Sequence, residues 1–274
     1  MRLGSERTYP ERQVVSSRLH RYARFRSRFL PDDRDVLVYL PPNYDPERAY
    51  SILYMQDGQK LFGCSSLLCD SKAGCTWRAD EAADEAVAGH ESEPLLIVGV
   101  AASEQRRMPE YTPTVDWKMG GGEAGKYGRL LVEELLPFVA TQYRVKAGAA
   151  NTGLGGSSLG GLAALYLGLK YPNIFGKLAA LSPSVWWNHR AILALVGEAS
   201  RHPASRPRIW LDVGEGEGTR AVADTDLLAS RLRAVADLKY QRVPGGTHDE
   251  GSWAGRVRPM LGYLFPSGYS SSKS

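Results

Sequence analysis

The chain has 274 residues, of which 43% are hydrophobic, and its formal net charge at pH 7 is +4. A chain of this length can bury a full core, and its natural size class is one large α/β domain. So mild a charge does not indicate nucleic-acid binding. The longest apolar runs, such as residues 94–102, are too short to span a bilayer. The first residues contain no apolar stretch of signal-peptide length, which favours a cytoplasmic location.

Two antiparallel strands are predicted near the N-terminus. Small or aromatic side chains alternate with arginines over residues 23–29, as in a half-buried edge strand with a solvated charged face. Residues 35–40 are expected to return beside it as the second strand. Beyond them, strand-like runs alternate with helical runs, which predicts a mostly parallel sheet with helices on both faces. Residues 1–266 are predicted to form one domain and residues 267–274 a disordered tail.

The remaining elements follow from the same periodicities. Pro137 is expected to kink or break the helix in which it lies. Residues 103–122 show neither period, and a loop of this length in a compact domain is usually functional. Strands are predicted at residues 51–55, 95–102, 177–182, 208–213 and 239–243, and helices at 78–89, 126–143, 162–171, 220–236 and 252–265.

A serine elbow is predicted at residues 151–161, which read NTGLGGSSLGG. The pattern G-x-S-x-G places a serine on a sharp strand-to-helix turn, where only residues with little or no side chain fit two positions before and after it. Ser158 has glycines at both of those positions, whereas Ser157 has Leu159 after it. Ser158 is therefore the candidate nucleophile. A phosphate-binding loop is the alternative, but its characteristic glycine and lysine spacing is incomplete here.

Two backbone amides are candidates for stabilising an oxyanion. The helix after the elbow presents free N–H groups toward the serine, and the amide of Leu159 is the first candidate. The turn Gln56–Gln59 follows the strand at 51–55, at the sheet edge where folds of this class provide the second donor. We assign that donor to the amide of Gln59.

A serine nucleophile needs a histidine to take its proton and a carboxylate to orient that histidine. Of the five histidines, His248 is the one in a turn just after a strand at the predicted serine edge. Glu217, in the Gly-rich turn after the strand at 208–213, is the favoured acid, with Glu215 and Asp224 as alternatives. The order serine, acid, histidine is that of α/β-hydrolases.

Three cysteines, Cys64, Cys69 and Cys75, lie within twelve residues. They contain no C-x-x-C pair and have no fourth ligand at regular spacing, so they do not predict a zinc site. Free thiols in a loop are the favoured interpretation, and a disulfide requires an oxidising compartment. No metal and no cofactor are predicted.

Several stretches together resemble one known esterase family. Its members include esterase D, feruloyl esterases, enterochelin (siderophore) esterases and the antigen 85 mycolyltransferases, and the resemblance is greatest to the enterochelin-esterase-like branch. It implies an α/β-hydrolase fold with Ser158 as nucleophile, His248 as base and Glu217 as acid. It also implies a role for Arg107 in substrate binding or in shaping the site, and it matches Trp253 to an aromatic residue after the histidine. The matching stretches include VYLPPNYDPE, ILYMQDGQKLF, RMPEYTP, GGSSLGGLAALYLGLKYPNIFG, SPSVWWN, LDVGEGEG and PGGTHDEGSW.

The sequence as a whole predicts a serine carboxylic-ester hydrolase that acts through an acyl-enzyme. Its partner is a small-molecule ester of siderophore, feruloyl or short-acyl type, with no nucleic-acid or membrane partner. Trp187, which follows a strand at the same edge, is a candidate for lining the substrate pocket, although tryptophan in such a position also belongs to cores. An acyltransferase with the same residues and a non-catalytic binding protein on the same fold are the alternatives.

Overall fold

The computed structural model describes residues 9–63, 76–201 and 206–268. Nine strands form the main sheet, in the order β1-β2-β3-β5-β4-β8-β9-β10-β11, and two short strands form a separate hairpin. The strands are β1 Arg12–Ser16, β2 Leu19–Phe25, β3 Arg34–Tyr39, β4 Ser51–Gln56, β5 Leu95–Val100, β6 Val115–Asp116, β7 Gly120–Gly121, β8 Thr152–Ser157, β9 Lys177–Leu181, β10 Arg208–Gly214 and β11 Asp237–Val243.

Six neighbouring strands of the main sheet are parallel, in the order β5, β4, β8, β9, β10 and β11. At the N-terminal edge, β1, β2 and β3 pair antiparallel. The predicted mixed sheet is thus confirmed. Its central parallel strands are buried on both faces: in β4, Ile52 and Tyr54 contact one core while Leu53 and Met55 contact the other. This alternation follows from the two-residue period of a strand.

The N-terminal edge differs from the prediction in two respects. β1 was not expected, because most of its side chains are exposed and give no apolar alternation. β2 ends at Phe25 and does not continue to residue 29. Arg24 has a φ of 55°, its amide donates to the Asp35 carboxylate, and the pairing register shifts between Tyr22 and Phe25. A residue in the left-handed region interrupts the extended ladder, which resumes for Phe25 opposite Arg34 before the strand ends.

Helices cover both faces of the sheet. Helices α1 and α9 pack together on one face, and the others that cover the sheet contribute to the core of the opposite face. Among the helices of the described segments, none combines the length and the apolar character needed to cross a membrane. The helices are α1 Ala79–Ala88, α2 Arg107–Tyr111, α3 Ala124–Arg129, α4 Leu136–Gln142, α5 Leu159–Lys170, α6 Trp187–Arg190, α7 Ile192–Arg201, α8 Thr219–Leu232 and α9 Glu250–Leu264.

Two further segments depart from the expected pattern. The helix predicted at 126–143 consists of α3, a π-helical stretch Leu130–Leu135, and α4. Pro137 lies at the start of α4, where its missing N–H costs least. Residues 103–122 contain α2 and the β6–β7 hairpin, so the expectation of a segment without regular structure was wrong. These elements are too short to show a period in sequence.

Because β4, β8, β9, β10 and β11 are parallel, their carboxyl ends lie at one edge of the sheet. The turn Gly58–Lys60, the serine elbow, Ser182 and the turn Glu215–Glu217 each follow one of these strands. His248 follows the last of them. The cysteines at positions 64, 69 and 75 and the end of the predicted tail lie outside the described residues.

Candidate active site

Ser158 occupies the sharp turn between β8 and α5, with φ 56° and ψ −124°. A residue other than glycine is strained in this region and persists there only when its surroundings hold it. The turn is crowded as the sequence predicts. A Cβ added at Gly156 would lie 2.7 Å from Gln56 Oε1 and 2.8 Å from the carbonyl carbon of Gly160. Close approach of the backbone therefore requires glycine at position 156, whereas a Cβ at Gly160 would meet the side chain of Gln56 at 3.1 Å.

The structure brings Ser158, and not Ser157, to His248. Ser157 is the last residue of β8 and is 3% exposed. The hydroxyl oxygen of Ser158 lies 3.0 Å from Nε2 of His248 and 3.3 Å from the hydroxyl of Ser184. Of the two adjacent serines, only Ser158 lies on the elbow, and this position distinguishes it from Ser157 as the candidate nucleophile.

Glu217 is the carboxylate that meets His248, with 2.7 Å between Oε2 and Nδ1. It lies on the 3-10 turn that directly follows β10. The two alternatives lie elsewhere: Glu215 is exposed on the same turn, and Asp224 on α8 binds the Arg190 guanidinium at 2.6 Å. The structure thus brings together the favoured three residues in one chain of hydrogen bonds.

The ionisation of Glu217 determines where the protons lie in the hydrogen bonds that link it to His248 and Ser158. Burial acts to raise the pKa of its carboxyl, but hydrogen bonds from His248, from the Ser182 hydroxyl and from the Gly214 amide outweigh it and hold the pKa below the ordinary value. An ionised carboxylate only accepts hydrogen bonds, so Nδ1 of His248 donates to it. In a neutral imidazole with its proton on Nδ1, Nε2 carries the lone pair and can accept from the Ser158 hydroxyl. This is the arrangement that activates a serine.

Of the two predicted oxyanion donors, Leu159 directly follows Ser158 and Gln59 lines a cavity together with it. Leu159 is the first residue of α5, so its N–H has no preceding helical carbonyl as a partner. Gln59 lies in the turn Gly58–Lys60 and lines the same cavity, of about 280 Å³, as Ser158 and His248. The Gln59 side chain accepts from the amide of Ala102 at 3.0 Å, which fixes this turn against the end of β5.

Arg107 also lines this cavity, but its guanidinium is already engaged. It donates to both carboxylate oxygens of Asp57, at 2.7 and 2.9 Å. Asp57 has a φ of 59° and begins the turn that carries Gln59, and its amide donates to the Tyr111 hydroxyl oxygen at 3.2 Å. The contacts of Arg107 are therefore with the turn that carries a candidate oxyanion donor.

Of the predicted tryptophans, Trp253 lies at the site and Trp187 does not. The Trp253 ring stands edge-on to the His248 ring, with centroids 5.0 Å apart, and its Nε1 donates to the Ser182 hydroxyl at 3.1 Å. Trp187 is 1% exposed, and its Nε1 donates to the Thr114 carbonyl. Its neighbour Trp186 is 43% exposed and lines a second cavity next to His248. The adjacent pair in the sequence did not reveal which ring turns inward.

A second cavity, of about 390 Å³, lies on the other side of His248. Its apolar wall includes Val185, Trp186 and Val213, and Arg220 and Asp224 of α8 add charge. Sequence reasoning missed Arg220, although its place at the start of a helix after the Gly-rich acid turn was a usable signal.

Charge within the two cavities is unevenly paired. Lys60 is paired with Glu250, and Arg107 with Asp57. In the described parts of the chain, the guanidinium of Arg220 has neither an ion pair nor a hydrogen bond. Within the same described ranges, no three His, Cys, Asp or Glu side chains are placed to hold a metal ion.

Comparison with known proteins places this geometry in a family. The family model described as "Putative esterase" matches residues 27–264. The chain belongs to this esterase family. The predicted carboxylic-ester hydrolase of the α/β-hydrolase fold is thereby confirmed.

Individual relatives agree with the family. The iron(III) enterobactin esterase of Escherichia coli K12 is 34% identical over 134 residues, which cover 47% of this chain and 33% of that protein. The solved BES protein of Bacillus cereus superposes with a TM-score of 0.77 at 22% identity, covering 95% of this chain and 99% of that one. The Shigella flexneri enterobactin esterase, solved in the presence of 2,3-dihydroxy-N-benzoyl-glycine, has a TM-score of 0.72 at 22% identity.

The esterase relatives are longer than the part they share with this chain. The match covers 92% of this chain but 60% of the Shigella structure, and one third of the E. coli protein. At 22% identity the structural likeness shows the fold alone. The assignment to esterases depends on the match to the family model.

Proposed function

We propose that the protein hydrolyses carboxylic esters through an acyl-enzyme on Ser158, with His248 as base and Glu217 as the acid that orients it. The observation that carries the proposal is the unbroken hydrogen-bond chain from Ser158 Oγ to His248 Nε2 and from His248 Nδ1 to Glu217 Oε2. These three side chains project from turns after three parallel strands, which holds them at one sheet edge.

Each step of the reaction has a named group. Ser158 Oγ attacks the ester carbonyl carbon while its proton moves to Nε2 of His248. The amides of Leu159 and Gln59 stabilise the oxyanion. The proton on His248 then passes to the departing alkoxide, which leaves as the alcohol. A water molecule gives a proton to His248 and its oxygen to the acyl carbon. His248 then returns that proton to Ser158 Oγ as the bond from Oγ to the acyl carbon breaks, which releases the acid and restores both residues.

The substrate we propose is an ester that carries an aromatic and negatively charged group, of the siderophore type. Trp186 offers an exposed ring at the edge of the 390 Å³ cavity, and Arg220 offers an unpaired guanidinium in the lining of the same cavity. An aromatic ring packs on the first and an anionic substituent binds the second. The names of the relatives, which include enterobactin esterases and a siderophore hydrolase, agree with such a substrate.

The test is labelling with a fluorophosphonate, followed by intact mass and peptide mapping. A single adduct on Ser158 is expected, and turnover of p-nitrophenyl esters and of a catecholate trilactone should be lost in parallel with labelling. A folded protein that gains no adduct would contradict the proposal and favour a binding role. If an added alcohol outcompetes water for the acyl group, the reaction is acyl transfer and not hydrolysis.

A further inference from the structure

Ser182 lies directly behind the Glu217 carboxylate, at the end of β9. Its side chain is buried, with the residue 2% exposed, and its φ is 44°. Its amide donates to the carbonyl oxygen and to Oδ1 of Asp212, at 3.0 and 3.2 Å. A buried serine in the left-handed region is strained, and these two contacts hold it in place.

Three groups surround the Ser182 hydroxyl. It accepts from Nε1 of Trp253 at 3.1 Å and from Nη1 of Arg256 at 2.9 Å, and it lies 2.5 Å from Oε1 of Glu217. A hydroxyl has one proton and two lone pairs, while an indole N–H and a guanidinium only donate. Trp253 and Arg256 therefore occupy both lone pairs, and the proton of Ser182 has one remaining direction, toward Glu217.

The donor from Arg256 is itself fixed in direction. The same Nη1 donates to Oδ1 of Asp212 at 2.7 Å, and Nη2 donates to the Ser252 hydroxyl at 2.7 Å. Asp212 is fully buried in β10, where Trp210 Nε1 donates to its other oxygen at 2.7 Å. Arg256 is thus held between the core and the site, and it cannot turn away from Ser182 without leaving Asp212 unpaired.

We propose that Ser182 is a positioning residue for the reaction: Trp253 and Arg256 direct its hydroxyl proton onto Oε1 of Glu217, and Oε2 is thereby left for Nδ1 of His248. The inference rests on the proposed function, in which Glu217 orients His248. The Gly214 amide also donates to Oε1, at 2.8 Å, so both oxygens of the carboxylate are assigned.

Other charges face Glu217, and removal of the Ser182 hydroxyl changes none of them. His248 donates to Oε2, and Nη2 of Arg256 lies 3.9 Å from Oε1, with Asp212 behind it. A change in Glu217 on loss of the hydroxyl therefore reports the hydroxyl itself. The remaining charged groups on the adjacent turn and on the cavity wall are Glu215, Arg220 and Asp224.

Ser182→Gly is the sharpest test, because glycine removes the hydroxyl and accepts the positive φ without strain. We expect the pKa of the Glu217 carboxyl, followed by ¹³C NMR, to rise by about one unit because a donor to its charged form is lost. We expect kcat/KM for a p-nitrophenyl ester to fall about tenfold. Ser182→Ala should reproduce both changes, and circular dichroism should show both variants to be folded.

Trp253→Phe provides the matched control. It removes one of the two donors to Ser182 but leaves Arg256 and the hydroxyl. In the described structure the Ser182 hydroxyl donates to Glu217 and to no other acceptor, so the proton should stay on Glu217 when one lone pair is freed. We expect the pKa of Glu217 to move by less than about 0.3 units. A shift as large as that of Ser182→Gly would mean that packing around the site, and not the hydroxyl proton, governs Glu217.

The possible failures are separable. If Ser158 is labelled and esters are hydrolysed, but the pKa of Glu217 is unchanged in folded Ser182→Gly and Ser182→Ala, the positioning role is overturned and the proposed function stands. If the pKa of Glu217 rises as expected but Ser158 takes no label in the wild type, Ser182 does direct its proton to Glu217 and the proposed ester chemistry is wrong.

Discussion

Asp57 and Arg107 form a two-point ion pair across 50 positions of the chain, with Nε–Oδ1 at 2.7 Å and Nη2–Oδ2 at 2.9 Å. Asp57 is 5% exposed and begins the turn that holds Gln59. The pair therefore joins α2 to the turn that carries the proposed second oxyanion donor. The family resemblance implied that Arg107 either binds substrate or shapes the site, and from this ion pair we propose the second role, in which Arg107 positions the turn.

Arg107→Ala should lower kcat about tenfold and leave KM within about twofold. A displaced oxyanion donor loses a hydrogen bond that stabilises mainly the transition state and not the bound substrate. Steady-state kinetics with p-nitrophenyl acetate measure both constants. Asp57→Ala should give the same result, since it breaks the same pair. A rise in KM with unchanged kcat would instead assign Arg107 to substrate binding.

Ser158→Ala should lower kcat by about 10⁴-fold or more and abolish fluorophosphonate labelling, because no other hydroxyl reaches Nε2 of His248 in the described structure. The adjacent Ser157→Ala is the control and should keep its label and turnover within about tenfold. Loss of labelling in Ser157→Ala alone would exchange the two assignments.

Glu217→Gln should lower kcat by about 10²- to 10⁴-fold, since an amide can present a donor to Nδ1 and favour the wrong tautomer of His248. Glu215→Gln, on the same turn but exposed, should stay within about twofold of the wild type. Rate measurements on the two variants under one set of conditions decide the acid. Equal losses in both would contradict the assignment to Glu217.

Arg220→Gln should distinguish charged from neutral esters. We expect kcat/KM for an anionic ester, mono-p-nitrophenyl glutarate, to fall about tenfold, and that for neutral p-nitrophenyl valerate to stay within about twofold. Salt at about 0.5 M should reduce the preference of the wild type for the anionic ester. Arg231→Gln, exposed on the same helix, is the control. An equal loss for both esters would remove the proposed anion contact.

Lys177 provides a prediction for stability. Its Nζ donates to the Leu264 carbonyl beside the Phe265 ring, and burial lowers its pKa to about 8. The unfolded chain, with a lysine pKa of about 10.4, holds the proton more tightly, so this residue makes the free energy of unfolding rise between about pH 8 and 10.4. The free energy of unfolding of the wild type, measured in urea relative to that of Lys177→Met, should therefore rise by about 1 kcal/mol from pH 7 to 9.5. A constant difference would contradict the shift.

Local patterns were sufficient for the main features of the fold and for the three central side chains. Strands β4, β5, β9 and β10 are short, largely apolar runs, and the remaining parallel strands alternate with helices in the same way. Ser158, Glu217 and His248 each follow a parallel strand, so their shared edge could be deduced from the order of elements. The glycines around Ser158 carried a steric signal that the crowding at Gly156 explains.

Contacts between distant segments could not be deduced in the same way. Arg256 reaches Ser182 across 74 positions, and nothing in either neighbourhood identifies the other. Strand β1 was missed because it is mostly exposed. Trp186 and Trp187 are adjacent and chemically identical, and the one that is buried is decided by packing against Thr114 on a segment more than seventy positions away. Such choices depend on tertiary packing.

The attachment of Glu217 bears on how such an enzyme can diversify. Its carboxylate is tied to the end of β10 through Gly214 and to β9 through Ser182, whereas the wall that bears Arg220 and Asp224 belongs to α8. Substitutions on that helix can alter which esters are accepted while the reacting groups keep their places. Substrate selectivity and catalysis thus depend on different segments of this protein and can change independently. Helix α8 is therefore the segment to randomise in a search for new substrates.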